Sequence, residues 1–182
     1  LFRSKIGGKK MNNKGFVHVY TGNGKGKTTA ALGLSLRAVC AGKKVFFGQF
    51  VKGMKYCEVK CTDFVPNIEF EQFGEDCFIR DDPTKEDIKR AEAGLEKIRL
   101  ILEEGNYDVV VLDELNIALL YNLLKVEDVI KIIKNRAPHI EVIITGRYAP
   151  KELVEFADLV TDMKEVKHYY QMGVLSRSGI DC

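Results

Sequence analysis

The chain has 182 residues, 46% apolar and 30% charged, enough for one globular domain with its own core and too few for a multidomain assembly. Its 28 Lys and Arg against 26 Asp and Glu leave a formal charge of +2, a balance that argues against a protein built to coat nucleic acid or an anionic membrane. Charged residues recur too often for an apolar segment of about 20 residues, the length a spanning helix needs.

Residues 1–14, Gly- and Lys-rich and without a hydrophobic stretch of signal-peptide type, read as a flexible leader before a single domain over 15–182. Phe16 to Tyr20 is a β-branched and aromatic run that predicts a strand. A Gly-rich turn follows, then Thr28 to Ala41, where Leu32, Leu36 and Val39 recur at helical spacing and Gly42 ends the helix. Lys44 to Phe50 predicts a second strand and Ile68 to Phe73 a third, with irregular chain between them and a polar loop over Gly74 to Pro83.

Thr84 and Asp87 have capping-box spacing, and Ile88, Ala91, Leu95, Ile98 and Leu102 place an apolar stripe on a long helix ending before Gly105. Tyr107 to Leu112 is apolar on both faces, as a central strand covered by helices must be, and it ends in Asp113 and Glu114. A helix over Val126 to Arg136, a buried strand over Ile140 to Thr145, a short helix over Pro150 to Ala157 and a strand over Leu159 to Thr161 complete the alternation, leaving a tail over 166–182. This order implies an α/β fold, a mostly parallel sheet flanked by helices with ligands at the carboxyl ends of its strands. The five cysteines, at 40, 57, 61, 77 and 182, are odd in number and irregular in spacing, which argues against a secreted disulfide framework. The C-x3-C pair of Cys57 and Cys61 has no neighbouring His and lacks the spacing of common zinc sites. A cytoplasmic location is the expectation.

The turn Thr21-Gly22-Asn23-Gly24-Lys25-Gly26-Lys27-Thr28-Thr29 carries the clearest chemistry. Between strand and helix, its glycines let successive backbone N–H groups face inward, and the helix N-terminus adds partial positive charge, so the turn forms an anion nest of the P-loop NTPase kind. Lys27 is placed to reach phosphates and Thr28 to offer its hydroxyl to a phosphate-bound Mg²⁺. The full G-x4-G-K-[ST] pattern requires glycine at 21, where this chain has Thr21. Asp113 and Glu114, closing a buried strand, stand where such folds hold the metal or orient an attacking water. Lys25, Lys52 and Arg147 are further candidates for phosphate contacts, against the ordinary reading of loop cations as solvated. His18, inside a strand, reads as a packed core residue. These motifs leave the reaction open among a transferase, a P-loop NTPase switch that hydrolyses ATP with a protein or DNA partner, and a nucleotide-binding regulatory subunit. Weak overall basicity disfavours the DNA version.

A resemblance narrows the choice. Thr21 to Gly33, Arg37-Ala38, Gly48-Gln-Phe-Val-Lys-Gly53, Val110-Val-Leu-Asp-Glu-Leu115, Ile143-Ile-Thr-Gly-Arg147, Val166-Lys-His168 and Gly179-Ile-Asp181 resemble, in order, motifs of the ATP:cob(I)alamin adenosyltransferases of the CobA/CobO/BtuR family. That family also lacks the leading glycine. The resemblance implies a RecA-like P-loop fold and transfer of the 5'-deoxyadenosyl group of ATP to the Co(I) of a reduced corrinoid, with release of tripolyphosphate. It further implies a triphosphate lying reversed in the loop over Gly22 to Thr29, a Mg²⁺ or Mn²⁺ ion near Thr28, Asp113 and Glu114, a flavodoxin-like or flavin reductant, and a homodimer. Similar proteins carry a Trp-containing aromatic pair after the third strand, thought to cover the lower face of the corrin. This chain has no Trp, and Phe78 and Ile79 are the nearest candidates for that cover.

Overall fold

The computed structural model of the chain describes residues 14–51, 57–74 and 83–181. Six strands, β1 (Val17–Thr21), β2 (Val45–Gln49), β3 (Ile68–Gln72), β4 (Val109–Asp113), β5 (Glu141–Thr145) and β6 (Leu159–Asp162), form one sheet in the order β3-β2-β4-β5-β1-β6, and every pairing is parallel. The strands are linked through six helices, α1 (Lys27–Cys40), α2 (Cys61–Phe64), α3 (Lys85–Glu104), α4 (Leu115–Leu120), α5 (Val126–Lys134) and α6 (Lys151–Phe156). Parallel pairing forces a crossover after each strand, so helices cover both faces, and β2, β4 and, after Glu141, β5 are apolar up to the polar residue that closes each. β4 shows it: Val110 and Leu112 join the core under α3, α4, α5 and α6, whereas Val109 and Val111 join the smaller core under α1.

Local chemistry sets the helix limits. At α3 the Thr84 hydroxyl accepts from the Asp87 amide while the Asp87 carboxylate accepts from the Thr84 amide, and Gly105 closes the helix in the left-handed region at φ 71°. The stripe expected on α3 is buried, with Ile88 packed at its edge. α1 departs from expectation. Its sheet-facing side is Ala31, Ser35 and Ala38; Leu32 and Val39 sit on the flanks, and Leu36 is 49% exposed. Small side chains let the helix axis approach the strands, which a row of leucines would hold off.

Strand and helix positions otherwise match the sequence pattern to within a residue or two. Four described elements do not appear in that pattern: α4, the 3₁₀ turn at Cys57–Lys60, α2 into which it runs, and a 3₁₀ turn at Tyr169–Met172. His18 also departs from its expected core position: it is half-buried, its Nε2 2.6 Å from Glu141 Oε1, with its ring edge against Tyr20. Among the described residues no helix is long and apolar enough to cross a membrane.

The burial contrast gives a direct test. Leu112→Ala, fully buried next to the end of β4, is expected to lower unfolding free energy by about 2–5 kcal/mol, while Leu36→Ala costs less than about 1 kcal/mol; urea denaturation of the two variants measures both.

Candidate functional site

β1 ends in the phosphate loop, and the loop's shape is fixed by the start of the C-terminal arm. Met163 donates its amide to the Thr21 carbonyl (2.8 Å) and accepts from the Gly24 amide (2.6 Å). Gly22 has φ 96°, and a Cβ there would lie 2.3 Å from Asp162 Oδ1 and 2.5 Å from the Met163 carbonyl, so no other residue fits between loop and arm. Gly26, at φ 116°, turns the chain into α1. At the loop's centre the Lys27 ammonium donates to the carbonyls of Gly22 (2.8 Å) and Gly24 (2.7 Å). Burial pushes this ammonium below its ordinary pKa; Glu114 and Asp113 oppose the shift and Arg147 adds to it. A partly desolvated cation whose hydrogen bonds go to two neutral carbonyls is well prepared to exchange them for an anion.

Beneath the loop lies Asp113, fully buried at the end of β4. Its Oδ1 accepts from the Thr28 hydroxyl (2.8 Å) and the Thr145 hydroxyl (2.6 Å), and its Oδ2 accepts from Gln49 Nε2 (3.1 Å). Gln49 Oε1 in turn accepts from Gln72 Nε2 (3.0 Å). Strand register explains the row: Gln72, Gln49 and Asp113 are paired partners across β3, β2 and β4, and Thr145 closes β5 alongside. Four parallel strands thus end in polar side chains that meet edge to edge.

The residues after β4 and β5 form the opposite wall. Glu114 takes a left-handed conformation, φ 56°, and its amide donates to Thr145 Oγ1 (3.0 Å). Asn116 Nδ2 donates to the Gly146 carbonyl (2.8 Å), and the Thr21 hydroxyl accepts from the Ala149 amide (3.2 Å). The loop bearing Arg147 is therefore stapled to α4 on one side and to the end of β1 on the other. The hydroxyl at 21, where the general motif has glycine, makes the second staple.

The third wall is the arm. The Lys25 ammonium lies 2.6 Å from Asp181 Oδ1 and donates to the Ile180 carbonyl (3.1 Å). Burial works against its charge, but Asp181 outweighs burial and holds Lys25 above its ordinary pKa. Asp181 also accepts from the Tyr169 hydroxyl and from the amide and Nε of Arg177 (both 3.1 Å). His168 Nδ1 accepts from the Tyr170 amide and so caps the 3₁₀ turn, a structural task on the arm's inner side.

These walls enclose a cavity of about 770 Å³. Of the residues singled out in the sequence, Gly24, Lys25, Gly26, Lys27, Thr28, Thr29, Glu114 and Arg147 line it, while Gly22 and Asn23 form the outer start of the loop. Asp113 reaches the cavity through Thr28. Lys52, Phe78 and Ile79 lie outside the described residues. The lining also includes the apolar side chains of Leu32, Ile117, Val174 and Ile180, the rings of Tyr169 and Tyr170, and the carboxylates of Glu58 and Asp181, so cationic, acidic and apolar groups share one cavity. Among the described residues no three His, Cys, Asp or Glu side chains cluster as a metal cage. The Thr28 and Asp113 oxygens suit a hard cation that takes its other ligands from phosphate and water.

Gln49, Gln72, Thr145, Asn116 and the arm residues Tyr169 and Arg177 were not identifiable from sequence spacing. The available signals were a polar residue closing each of several apolar strands and, for Gln49 and Thr145, their place inside the motifs of the resemblance.

The family described as ATP:corrinoid adenosyltransferase BtuR/CobO/CobP matches residues 13–182. A corrinoid adenosyltransferase of Sinorhizobium sp is 34% identical over 183 residues, 98% of this chain and 86% of the relative. One of Escherichia coli strain K12 is 36% identical over 172 residues, 94% of this chain and 87% of the relative. Corrinoid adenosyltransferase CobA of Salmonella typhimurium strain LT2 is 36% identical over 171 residues, with the same two shares.

Thr145 isolates the contribution of the buried row. Thr145→Val keeps the volume but strips Asp113 of a donor and the Glu114 amide of its acceptor, and is expected to cost about 2–4 kcal/mol of stability. Thr145→Ser restores most of it; thermal or urea unfolding of both variants provides the comparison.

Proposed function

Because the chain belongs to the ATP:corrinoid adenosyltransferase family, we propose that it transfers the 5'-deoxyadenosyl group of ATP to the Co(I) of a reduced corrinoid and releases tripolyphosphate. The observation that carries this reading is the convergence of Lys27, Thr28 and Asp113 on a cavity that is also lined by Leu32, Ile117, Val174 and the rings of Tyr169 and Tyr170. The switch ATPase is not favoured by the relatives, which are named corrinoid adenosyltransferases.

The cobalt electron pair forms the Co–C5' bond as the C5'–O bond breaks, so negative charge develops on the bridging oxygen and spreads into the triphosphate. Stabilisation is therefore needed along the whole leaving group, not at the γ-phosphorus. Lys27 gives up the Gly22 and Gly24 carbonyls for phosphate oxygens, and the amides of the loop other than that of Gly24, which is engaged by Met163, hold the remainder with the N-terminus of α1, the triphosphate lying reversed in the loop. Thr28, with Asp113 and Glu114 behind it, would hold Mg²⁺ or Mn²⁺, which would supply further positive charge to the leaving group. Arg147, on its doubly stapled loop, and Lys52 add positive charge, and Lys25 borders the same phosphates through the contact treated below. Phe78 and Ile79 give the corrin an apolar cover on its lower face, where an axial donor would hinder reduction of Co(II). A flavodoxin-like or flavin reductant supplies that electron. The unit is the domain from residue 15 with its arm, acting as a homodimer in the cytoplasm.

Product identity tests the reading: anaerobic incubation with ATP and Co(I) corrinoid is expected to yield tripolyphosphate by phosphorus NMR together with the absorbance of an alkylated corrinoid. Corrinoid-independent release of ADP and phosphate at comparable rate would overturn it. Lys27→Ala is expected to lose about 2–4 kcal/mol of transition-state stabilisation, read as kcat/KM. Asp113→Ala and Glu114→Ala are each expected to shift the Mg²⁺ or Mn²⁺ concentration giving half-maximal rate upward, and unchanged metal titrations in both would refute their assignment.

A further inference from the structure

The arm from Asp162 to Asp181 meets the phosphate loop twice. At its start Met163 exchanges two backbone hydrogen bonds with Thr21 and Gly24; at its far end Asp181 and the Ile180 carbonyl hold Lys25. Between these points the arm lines the cavity with Tyr169, Tyr170, Val174 and Ile180. A third tie joins Ser178 Oγ to Cys57 Sγ (3.4 Å), on the 3₁₀ turn before α2. Past Gly173 the far end has no strand or helix to hold it, only a local turn in which the Ile180 and Asp181 amides donate to the Arg177 carbonyl (3.2 and 2.8 Å), and Leu175 and Ile180 are exposed. Its position depends on side chains, and Asp181 is where they converge. That carboxylate accepts from Lys25, Tyr169 and Arg177, and the Arg177 guanidinium also stacks over the Tyr169 ring at 4.7 Å.

We infer that Asp181 is a positioning residue for nucleotide binding: by gripping Lys25 of the phosphate loop it clasps the arm shut and fixes the wall that faces the nucleoside. Lys25, on this view, serves ATP by holding the arm, whereas Lys27 serves it by meeting phosphate. The inference rests on the nucleotide reading above. Asp181 is kept ionised to well below the usual carboxylate range by hydrogen bonds, from Lys25 first and then Tyr169 and Arg177, so the clasp persists across neutral and mildly acidic pH.

The test uses the scissile bond that the clasp shelters. Trypsin cleaves after Arg177, whose guanidinium and amide are both engaged by Asp181. Lys25→Ala, remote in sequence from that bond, and Asp181→Asn are each expected to raise the initial rate of cleavage between Arg177 and Ser178 about three- to tenfold, followed by mass spectrometry without nucleotide. The same variants raise KM for ATP by a similar factor with a smaller change in kcat, Asp181→Glu restores part of the loss, and the double variant is no worse than the worse single one because both remove one contact. Unchanged cleavage in both single variants would overturn the clasp. Raised cleavage with unchanged KM would reduce it to a structural tie and overturn the positioning role, as would a raised KM in Lys25→Ala alone, which would mean direct contact with ATP. Failure of the unmodified protein to bind ATP in calorimetry would sink the nucleotide reading, and cleavage would still decide the clasp.

Discussion

A buried carboxylate governs the architecture. Asp113 is closed off from solvent, and a charge in that position is tolerable only if donors surround it. Its three named donors come from three elements: Thr28 from the first turn of α1, Gln49 from the end of β2, Thr145 from the end of β5. Satisfying all three at once requires β2, β4 and β5 to stop at the same level and α1 to begin directly above them. The insertion of β5 between the strand that bears Asp113 and the strand that leads into the phosphate loop follows from the same demand, since Thr145 fills the space between them. Removing one donor leaves the others tied to an under-coordinated charge, so the group behaves as a unit.

The parts of the molecule that depend on periodicity were legible in the sequence. Continuous apolar runs at Val109 to Leu112 and Val142 to Ile144 announced central strands, and Thr84, Asp87 and Gly105 marked both ends of α3. α4 was not legible, because Leu115 to Leu120 follows the strand after a single turn residue and is too short to display a period of its own. The buried face of α1 was not legible for a related reason: the spacing of Leu32, Leu36 and Val39 identified a helix, but the face that meets the sheet is the one with the small residues Ala31, Ser35 and Ala38. In the site, Lys27, Thr28 and Asp113 stood out because phosphate loops impose their spacing. Gln49 and Gln72 did not, since a lone glutamine closing a strand acquires meaning only when parallel register sets it beside its partner. The contact of Lys25 with Asp181 spans 156 positions, and no local pattern encodes it.

Both lysines of the phosphate loop are already engaged, Lys27 by carbonyls of its own turn and Lys25 by the arm. Nucleotide affinity is therefore a difference between two sets of contacts rather than the strength of one. Two neutral carbonyls hold Lys27 less firmly than a triphosphate would, whereas an aspartate already gives Lys25 an ionic partner. The loop thus presents one cation ready to exchange and one retained. A division of labour between adjacent lysines follows from their partners, although the motif spells them alike.

The two chain reversals beside the cavity, at Glu114 and Tyr148, place non-glycine residues in the left-handed region, at φ 56° and 58°. Each such backbone costs on the order of 1 kcal/mol or more. They follow adjacent strands and adjoin two residues that line the cavity, Glu114 itself and Arg147. Glycine at 114 would relax the turn and delete the carboxylate in one step. Substitutions that make this protein sturdier will therefore collect at the positions where its chemistry can least spare a side chain, and a search guided by melting temperature alone would drift toward a well-folded chain with an empty site.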